Sequence, residues 1–389
     1  MQKYIQDTLR NNLRPVIRTL TRPQQKAVSE IVRGLFTAGT PVLRHLAQDP
    51  SKTARKQGQK YSYHLRNIAI VGAVDALALR KVKPAMRRNT IIAYDLTDVA
   101  KEFAEKMEKM QKIWDGSKRK KAPGYNLHGV GINGILLKLQ LHDGTQYTQP
   151  QIRWTIIEEL SVALDGKGIW VFDRGNDSKE FFTKLRQETE VRFIARVKEN
   201  RGVVLKETGA YVQVKDLEPG IYTVYLMDHH NHTVVPYEYT LVIHKHLEEK
   251  EPIRLFTTFT VEQFSPEKIV TMYLERWGIE NVFRRAKTKF QLEKIRVLSF
   301  MKLQNLIALI QLATIIATVT FVTIQKSTHA VVVAVVQFYK RFLHLKSLEQ
   351  NLDSFISFMQ QSLPPCMPAP RAPPHQITLF SSKCLRKLG

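Results

Sequence analysis

Residues 271–289, TMYLERWGIENVFRRAKTK, constrain this chain most: they hold no proline and one glycine, and they repeat at helical rather than strand spacing. With Tyr273 as reference and about 100° per residue, Arg276, Glu280 and Lys287 fall with it inside an arc of roughly 60°. Met272, Ile279, Phe283, Ala286 and Phe290 form an adjoining apolar stripe. A helix so patterned packs on a core and presents a phenol, a guanidinium, a carboxylate and an ammonium beside it. Taken alone, the same spacing also describes a solvated face with an Arg276–Glu280 ion pair, worth only about 0.3–0.5 kcal/mol.

A chain of 389 residues has material for two or three domains. Lys plus Arg number 59 against 35 Asp plus Glu, a formal +24 with a pI near 9.9. That excess calls for a polyanionic partner, nucleic acid first and an anionic membrane surface second. The two cysteines, Cys366 and Cys384, lie in the tail and match no zinc spacing or disulfide framework, so a reducing cytoplasm is the default. The first residues lack the apolar run of a signal peptide. Residues 306–324, LIALIQLATIIATVTFVTI, approach the length of a membrane span. Gln311 and the threonines that interrupt them favour a buried core helix over a span.

Residues 1–85 read as a helical, basic domain. Ala27, Ile31, Val32, Leu35 and Phe36 mark a helix after Arg22-Pro23, and Gly39 breaks it. Thr40-Pro41 then reads as the start of a second helix over 42–47, a pairing open to a DNA-binding helix-turn-helix or to any helical hairpin. In SKTARKQGQKYSYHLR, Lys52, Arg55, Lys56 and Lys60 alternate with Tyr61 and Tyr63, which suits phosphates and stacked bases, or a solvated linker.

Residues 89–95, NTIIAYD, form a short strand ending on Asp95, followed by Asp98 and Lys101. Residues 116–124, GSKRKKAPG, read as a charged loop in which Lys118, Arg119, Lys120 and Lys121 could follow a nucleic-acid backbone. A strand over 130–141 and a helix over 152–164 come next. Residues 168–172, GIWVF, are another strand that ends on an acid, Asp173; Asp177 and Glu180 then have capping-box spacing, a structural role. After a strand at 193–197, residues 201–260 are β throughout, with turns of Gly, Pro, Asn and His, and read as an insertion. Helical pieces at 330–342 and on to Met359 precede a Pro-rich tail at 364–374.

Asp95, Asp173 and Glu280 therefore come from two strand ends and a helix. Hard oxygen ligands of this kind hold Mg²⁺, and nearby cations hold phosphates. Tyr273-x2-Arg276-x3-Glu280-x6-Lys287, with YDLTDVAK around Asp95, WVFDRGNDS around Asp173 and FIARVKENR after it, resembles bacterial insertion-sequence DDE transposases of the Tyr-Arg-Glu-Lys signature subgroup. The likeness covers about residues 85–200 and 255–325. It implies an α/β fold: an RNase H-like catalytic core with a β-rich insertion subdomain, an N-terminal helical domain and C-terminal helices. The divisions are 1–85, helical and DNA-binding; 86–200, the first part of the core; 201–260, the β insertion; 261–325, core completion with the Glu helix; and 326–389, the C-terminal helices and tail.

The resemblance further implies that Asp95, Asp173 and Glu280 are catalytic and bind two Mg²⁺ ions, with Mn²⁺ as a substitute. It implies that Tyr273, Arg276 and Lys287 contact DNA near the cleaved end. Arg174, Lys198 and Arg284, within the same motifs, join Arg55, Lys56 and the 118–121 cations as candidate DNA contacts. The implied partners are double-stranded DNA, as terminal repeats and target, and a second copy in a synaptic homodimer, with no membrane and a place in the bacterial cytoplasm near the nucleoid. Some relatives carry a tryptophan in the insertion that receives a flipped base; residues 201–260 have none, and Trp277 is open to that role or to packing. The competing readings are an inactive or domesticated DNA-binding relative and a simple RNase H-like nuclease.

Overall fold

The computed structural model describes residues 2–47, 49–116, 118–228, 233–245, 251–325 and 348–362. The expected helix at 330–342, the Pro-rich tail and both cysteines lie outside these residues. Among the described residues eleven strands form one mixed sheet. Its heart is β1 (Ile91–Ala100), antiparallel to β3 (Lys120–Ile132) and parallel to β5 (Ile169–Phe172), which is parallel to β6 (Phe193–Arg196). β2 (Gln111–Asp115) and β4 (Ile135–Leu141) both pair with β3. The order β4-β3-β1-β5-β6, antiparallel then parallel, is the RNase H-like arrangement. β7 (Gly202–Leu205), β8 (Tyr211–Gln213), β9 (Gly220–Asp228), β10 (Thr233–His244) and β11 (Ile253–Thr257) are the strands of the insertion. β11 pairs with β6, so the insertion extends the core sheet edgewise.

β1 does not stop at Asp95 as a strand ending on an acid would; it runs five residues further to Ala100, because Asp95–Ala100 find partners in Gly124–Gly129. The charged 116–124 segment is mostly strand for the same reason: Lys120–Gly124 pair with Gln111–Asp115, so the cations cap a hairpin rather than a loop. The single strand expected over 130–141 is a hairpin of β3 and β4, turned at Asn133-Gly134 where both residues have positive φ.

The N-terminal part has α1 (Gln2–Ile17), α2 (Arg22–Ala38), α3 (Ala54–Arg66) and α4 (Val71–Val82). Gly39 closes α2 in the left-handed conformation, as its sequence position suggests. Residues 42–47 form only turns, so the expected helix-turn-helix is not formed there. A segment between Pro41 and Pro50 is too short to nucleate a stable helix, and Leu46 packs instead into the gap left by Gly34. The basic, tyrosine-bearing stretch is not a linker but α3, capped by Thr53, whose hydroxyl accepts from Lys56 N at 3.3 Å. Gly58 lets α3 approach the backbone of Arg44, and Tyr61 is buried while Tyr63 is exposed.

α9 (Phe300–Gln325) resolves the membrane ambiguity through burial. It is long and apolar enough to cross a bilayer, yet 83% of its most apolar window is buried inside the protein. α1 to α4 pack on one side of it and β4 on another, and a helix covered all round needs no polar face. Its polar interruptions have partners. Asn305 Nδ2 donates to the carbonyls of Leu65 and Ile68 at 2.9 and 3.0 Å, and Gln311 Nε2 to those of Leu136 and Leu137 at 3.3 and 3.1 Å.

The sheet is covered on both faces. α5 (Gln149–Ala163) and α6 (Lys179–Glu188) close over Trp170, Phe172 and Phe193. α7 (Pro266–Leu274) covers Ile91, Ile169, Val171 and Ile194 on the other face, followed by α8 (Trp277–Lys289) against β1 and β3. Residues 271–289 are thus two helices, not one. Arg276 N and Ile279 N bond the carbonyls three residues back, Tyr273 O and Arg276 O, both at 3.0 Å. This tighter 3₁₀ step rotates the two halves, so Tyr273 turns into the core while Arg276 and Glu280 stay together. The apolar stripe from Met272 to Phe290 is buried throughout.

Candidate active site

The parallel register of β1 and β5 sets Tyr94 beside Phe172, so the next residues, Asp95 and Asp173, come side by side where β5 ends. Asp95 lies on the face covered by α8. Two glycines let that helix come close: a Cβ at Gly129 would meet Phe283 Cζ at 2.3 Å, and one at Gly131 would meet Ile279 Cγ1 at 3.3 Å. α8 thereby carries Glu280 toward Asp95.

Arg276 joins the acids. Its Nη1 donates to Asp95 Oδ2 at 2.9 Å and its Nη2 to Glu280 Oε1 at 2.6 Å, with the guanidinium side chain 9% exposed. Burial, then the charge of Asp173, push the Asp95 carboxyl up to about 7 against the pull of Arg276. A third bond, from Leu96 N to Asp95 Oδ1 at 2.8 Å, fixes the carboxylate plane.

Asp173 is held from the other side. It opens a 3₁₀ turn, Arg174–Asn176, and the Asn176 amide donates to its carboxylate. Arg153 of α5 in turn donates to Asn176 Oδ1 at 2.7 Å and lies 3.7 Å over the Phe181 ring. Neither Arg153 nor Asn176 emerges from the sequence pattern. Asn176 had a signal, since its place three residues after Asp173 suits a turn closing back on the acid; Arg153 had none, because only tertiary packing brings α5 there. A cleft of about 780 Å³ opens beside Asp95 and Asp173, walled by Tyr147, Arg153, Trp154 and Lys184.

The other candidates are placed as follows. Tyr273 is 3% exposed, and burial raises its phenol above the ordinary range. Lys287 pairs with Asp98 at 3.3 Å and Glu293 at 3.1 Å. Arg284 and Arg285 both bond Asp353 of α10 (Leu348–Ser362), at 2.7 and 2.8 Å. Arg55, Lys56, Arg174, Lys198, Arg119 and Lys121 are exposed; Lys118 and Lys120 are exposed and share Glu102. Trp277, the first residue of α8, is 54% exposed. Asp177 is structural, but not as a cap. Ser178 caps α6, while the Asp177 carboxylate accepts from Lys198 N at 2.8 Å and pairs with Arg201 at 2.6 Å.

Carboxylates alone form the donor set, which suits a hard divalent cation such as Mg²⁺. Among the described residues no three acids, histidines or cysteines are gathered closely enough to hold a metal ion. The Arg276 guanidinium occupies the space between Asp95 and Glu280. Burial first, and Asp173 beside it, raise the Asp95 carboxyl, and a cation placed there would favour the charged carboxylate, so the residues fit such an ion in charge and chemistry once Arg276 gives up a carboxylate.

An RNase H-like sheet with acids at neighbouring strands and on the helix beside them defines an enzyme of the DDE class. Residues 86–316, more than half of the chain, match the family described as the Transposase DDE domain, and the chain belongs to that family. It is a DNA transposase. No curated protein matches it. Among solved structures it is similar to a cryo-EM structure of a piggyBac transposase synaptic complex with hairpin DNA, at 12% identity and a TM-score of 0.45, over 97% of this chain and 86% of that one.

Proposed function

We propose that this transposase excises an insertion sequence by cutting its ends and joins them to target DNA, with Asp95, Asp173 and Glu280 as the reacting-centre carboxylates. The observation that supports this reading is the β1–β5 register, which sets Asp95 beside Asp173, with the close approach of α8 to β3 bringing Glu280 toward Asp95. Mg²⁺ held by these three residues would supply activation of the attacking hydroxyl and stabilisation of the leaving oxygen. The protein's own groups do the rest. Asn176 and Arg153 hold the Asp173 carboxylate in one orientation.

Arg276 can exchange a carboxylate for a phosphate oxygen, since its planar fork suits either partner. Such a hold on the broken strand supports a cut-and-paste route through a hairpin end. Specific recognition of the ends falls to residues 1–85, and two copies act together in the cytoplasm on paired terminal repeats. Arg55→Ala with Lys56→Ala, at exposed positions of α3, is expected to lower end specificity while leaving the fold and non-specific affinity largely intact.

The test is incubation of the protein with the terminal repeats flanking its gene, Mg²⁺ and a supercoiled target. Asp95→Asn, Asp173→Asn and Glu280→Gln should each abolish cleavage and leave end binding largely intact. Near-parental cleavage by Asp173→Asn would remove that residue from the role. Arg276→Ala should nick but accumulate nicked ends; equal loss of nicking and later steps would make Arg276 a general structural residue.

A further inference from the structure

The hairpin of β2 and β3 carries an exposed tryptophan that the transposition chemistry leaves without a role. Trp114 is 59% exposed and pairs across the strands with Lys121; Lys112, two residues back on the same face, pairs with Pro123. Register from Gly129 outward is unbroken, so Trp114, Lys112 and Lys121 share by alternation the sheet face that bears Asp95. α8 covers that face at Gly129 and leaves it bare along the hairpin. Among the described residues, Lys112, Arg119 and Lys121 enter no ion pair, while Lys118 and Lys120 share Glu102.

The turn of the hairpin also lies near the C-terminal end of α8. Gly116, at its turn, lies where a Cβ would be 4.0 Å from the Asp98 carboxylate, and Asp98 pairs with Lys287 at the end of α8. Lys287 is two helical turns, or about 10 Å, from Glu280. At about 3.4 Å per step, a duplex running along α8 would reach the hairpin about three base pairs from the scissile phosphate.

We propose that the β2–β3 hairpin is a DNA-contacting arm, with Lys112, Arg119 and Lys121 on the backbone and Trp114 against the bases. The proposal rests on the transposase reading for its geometry. Charge decides the occupant. Lysine is depleted from the cores of protein–protein interfaces, whereas an aromatic ringed by cations suits a polyanion with flat bases.

Binding is measured by fluorescence anisotropy on the full chain, with a terminal-repeat duplex and a mixed-sequence duplex, across a salt series. Trp114→Ala should weaken binding roughly 10-fold without changing the salt slope, and Trp114→Phe should restore most of it. Arg119→Gln with Lys121→Gln should lower the slope of log K against log salt by about 0.9 for each cation. On a duplex truncated to about two base pairs from the cleaved end, wild type and Trp114→Ala should bind alike.

Variants that bind and cleave as the wild type does would overturn the arm. So would a Trp114→Ala protein whose defect is loss of dimer mass in sedimentation with unchanged DNA affinity, the sign of a second copy on this face. A wild-type protein that cleaves nothing yet shows the Trp114 dependence would refute the transposition chemistry and support the arm.

Discussion

Replacing Gly129 by alanine is the sharpest test of how the fold places Glu280. The added methyl would lie 2.3 Å from Phe283 Cζ and 2.4 Å from Cε1. Carbon atoms rest at about 3.5–4.0 Å, so α8 or the Phe283 ring must retreat by about 1.1–1.7 Å. Phe283 is buried and one turn from Glu280, which leaves the ring little room to yield alone. Overpacking of this kind costs about 1–3 kcal/mol of stability, and a misplacement of a reacting group by about 1 Å costs about 10²-fold in rate.

At Gly131 the corresponding contact is 3.3 Å to Ile279 Cγ1, a strain of a few tenths of an ångström that the side chain absorbs. The expectation is therefore graded. Gly129→Ala should lose about 10²-fold in cleavage of an end-labelled terminal repeat while remaining folded by urea titration, and Gly131→Ala should lose little. Phe283→Leu should rescue Gly129→Ala by making room. Parental cleavage by Gly129→Ala, or a larger loss at Gly131, would refute the view that close approach of α8 to β3 sets the position of Glu280.

Asp353→Ala should destabilise the protein by about 3–5 kcal/mol in urea unfolding, since it strands the Arg285 guanidinium, 3% exposed, without its partner. Arg284→Ala, at a half-exposed position of the same cluster, should cost less than about 1 kcal/mol. His128 is buried against Tyr94, whose hydroxyl lies 2.7 Å from Nδ1, and burial pushes its pKa down to about 3 from 6.5. The folded state thus prefers the neutral ring, so stability is complete above about pH 6.5 and falls at up to about 1.4 kcal/mol per pH unit as pH drops toward 3. His128→Leu should remove that slope from a urea titration repeated across pH; an unchanged slope would assign acid sensitivity elsewhere.

Periodicity alone determined much of this protein. The apolar stripe from Met272 to Phe290, the strands before Asp95 and Asp173, and the β-rich block after residue 201 all follow from local pattern, because burial imposes a period of about 2 or 3.6 on whichever side chains meet a core. The motif order around Asp95, Asp173 and Glu280 was likewise visible. Partnership was not. β1 extends past Asp95 because β3 offers it bonds, 120–124 becomes strand because β2 does, and α3 forms where composition left a nucleic-acid-binding stretch or a solvated linker open, because Thr53 caps it and Gly58 lets it dock. The Arg276–Asp95 pair, Arg153 on Asn176 behind Asp173, and Asp353 beneath α8 join residues 23 to 181 positions apart, whereas the Arg276–Glu280 pair, four residues apart, was legible in the helix spacing. Such contacts depend on which surfaces the chain brings together, and local pattern carries no record of that.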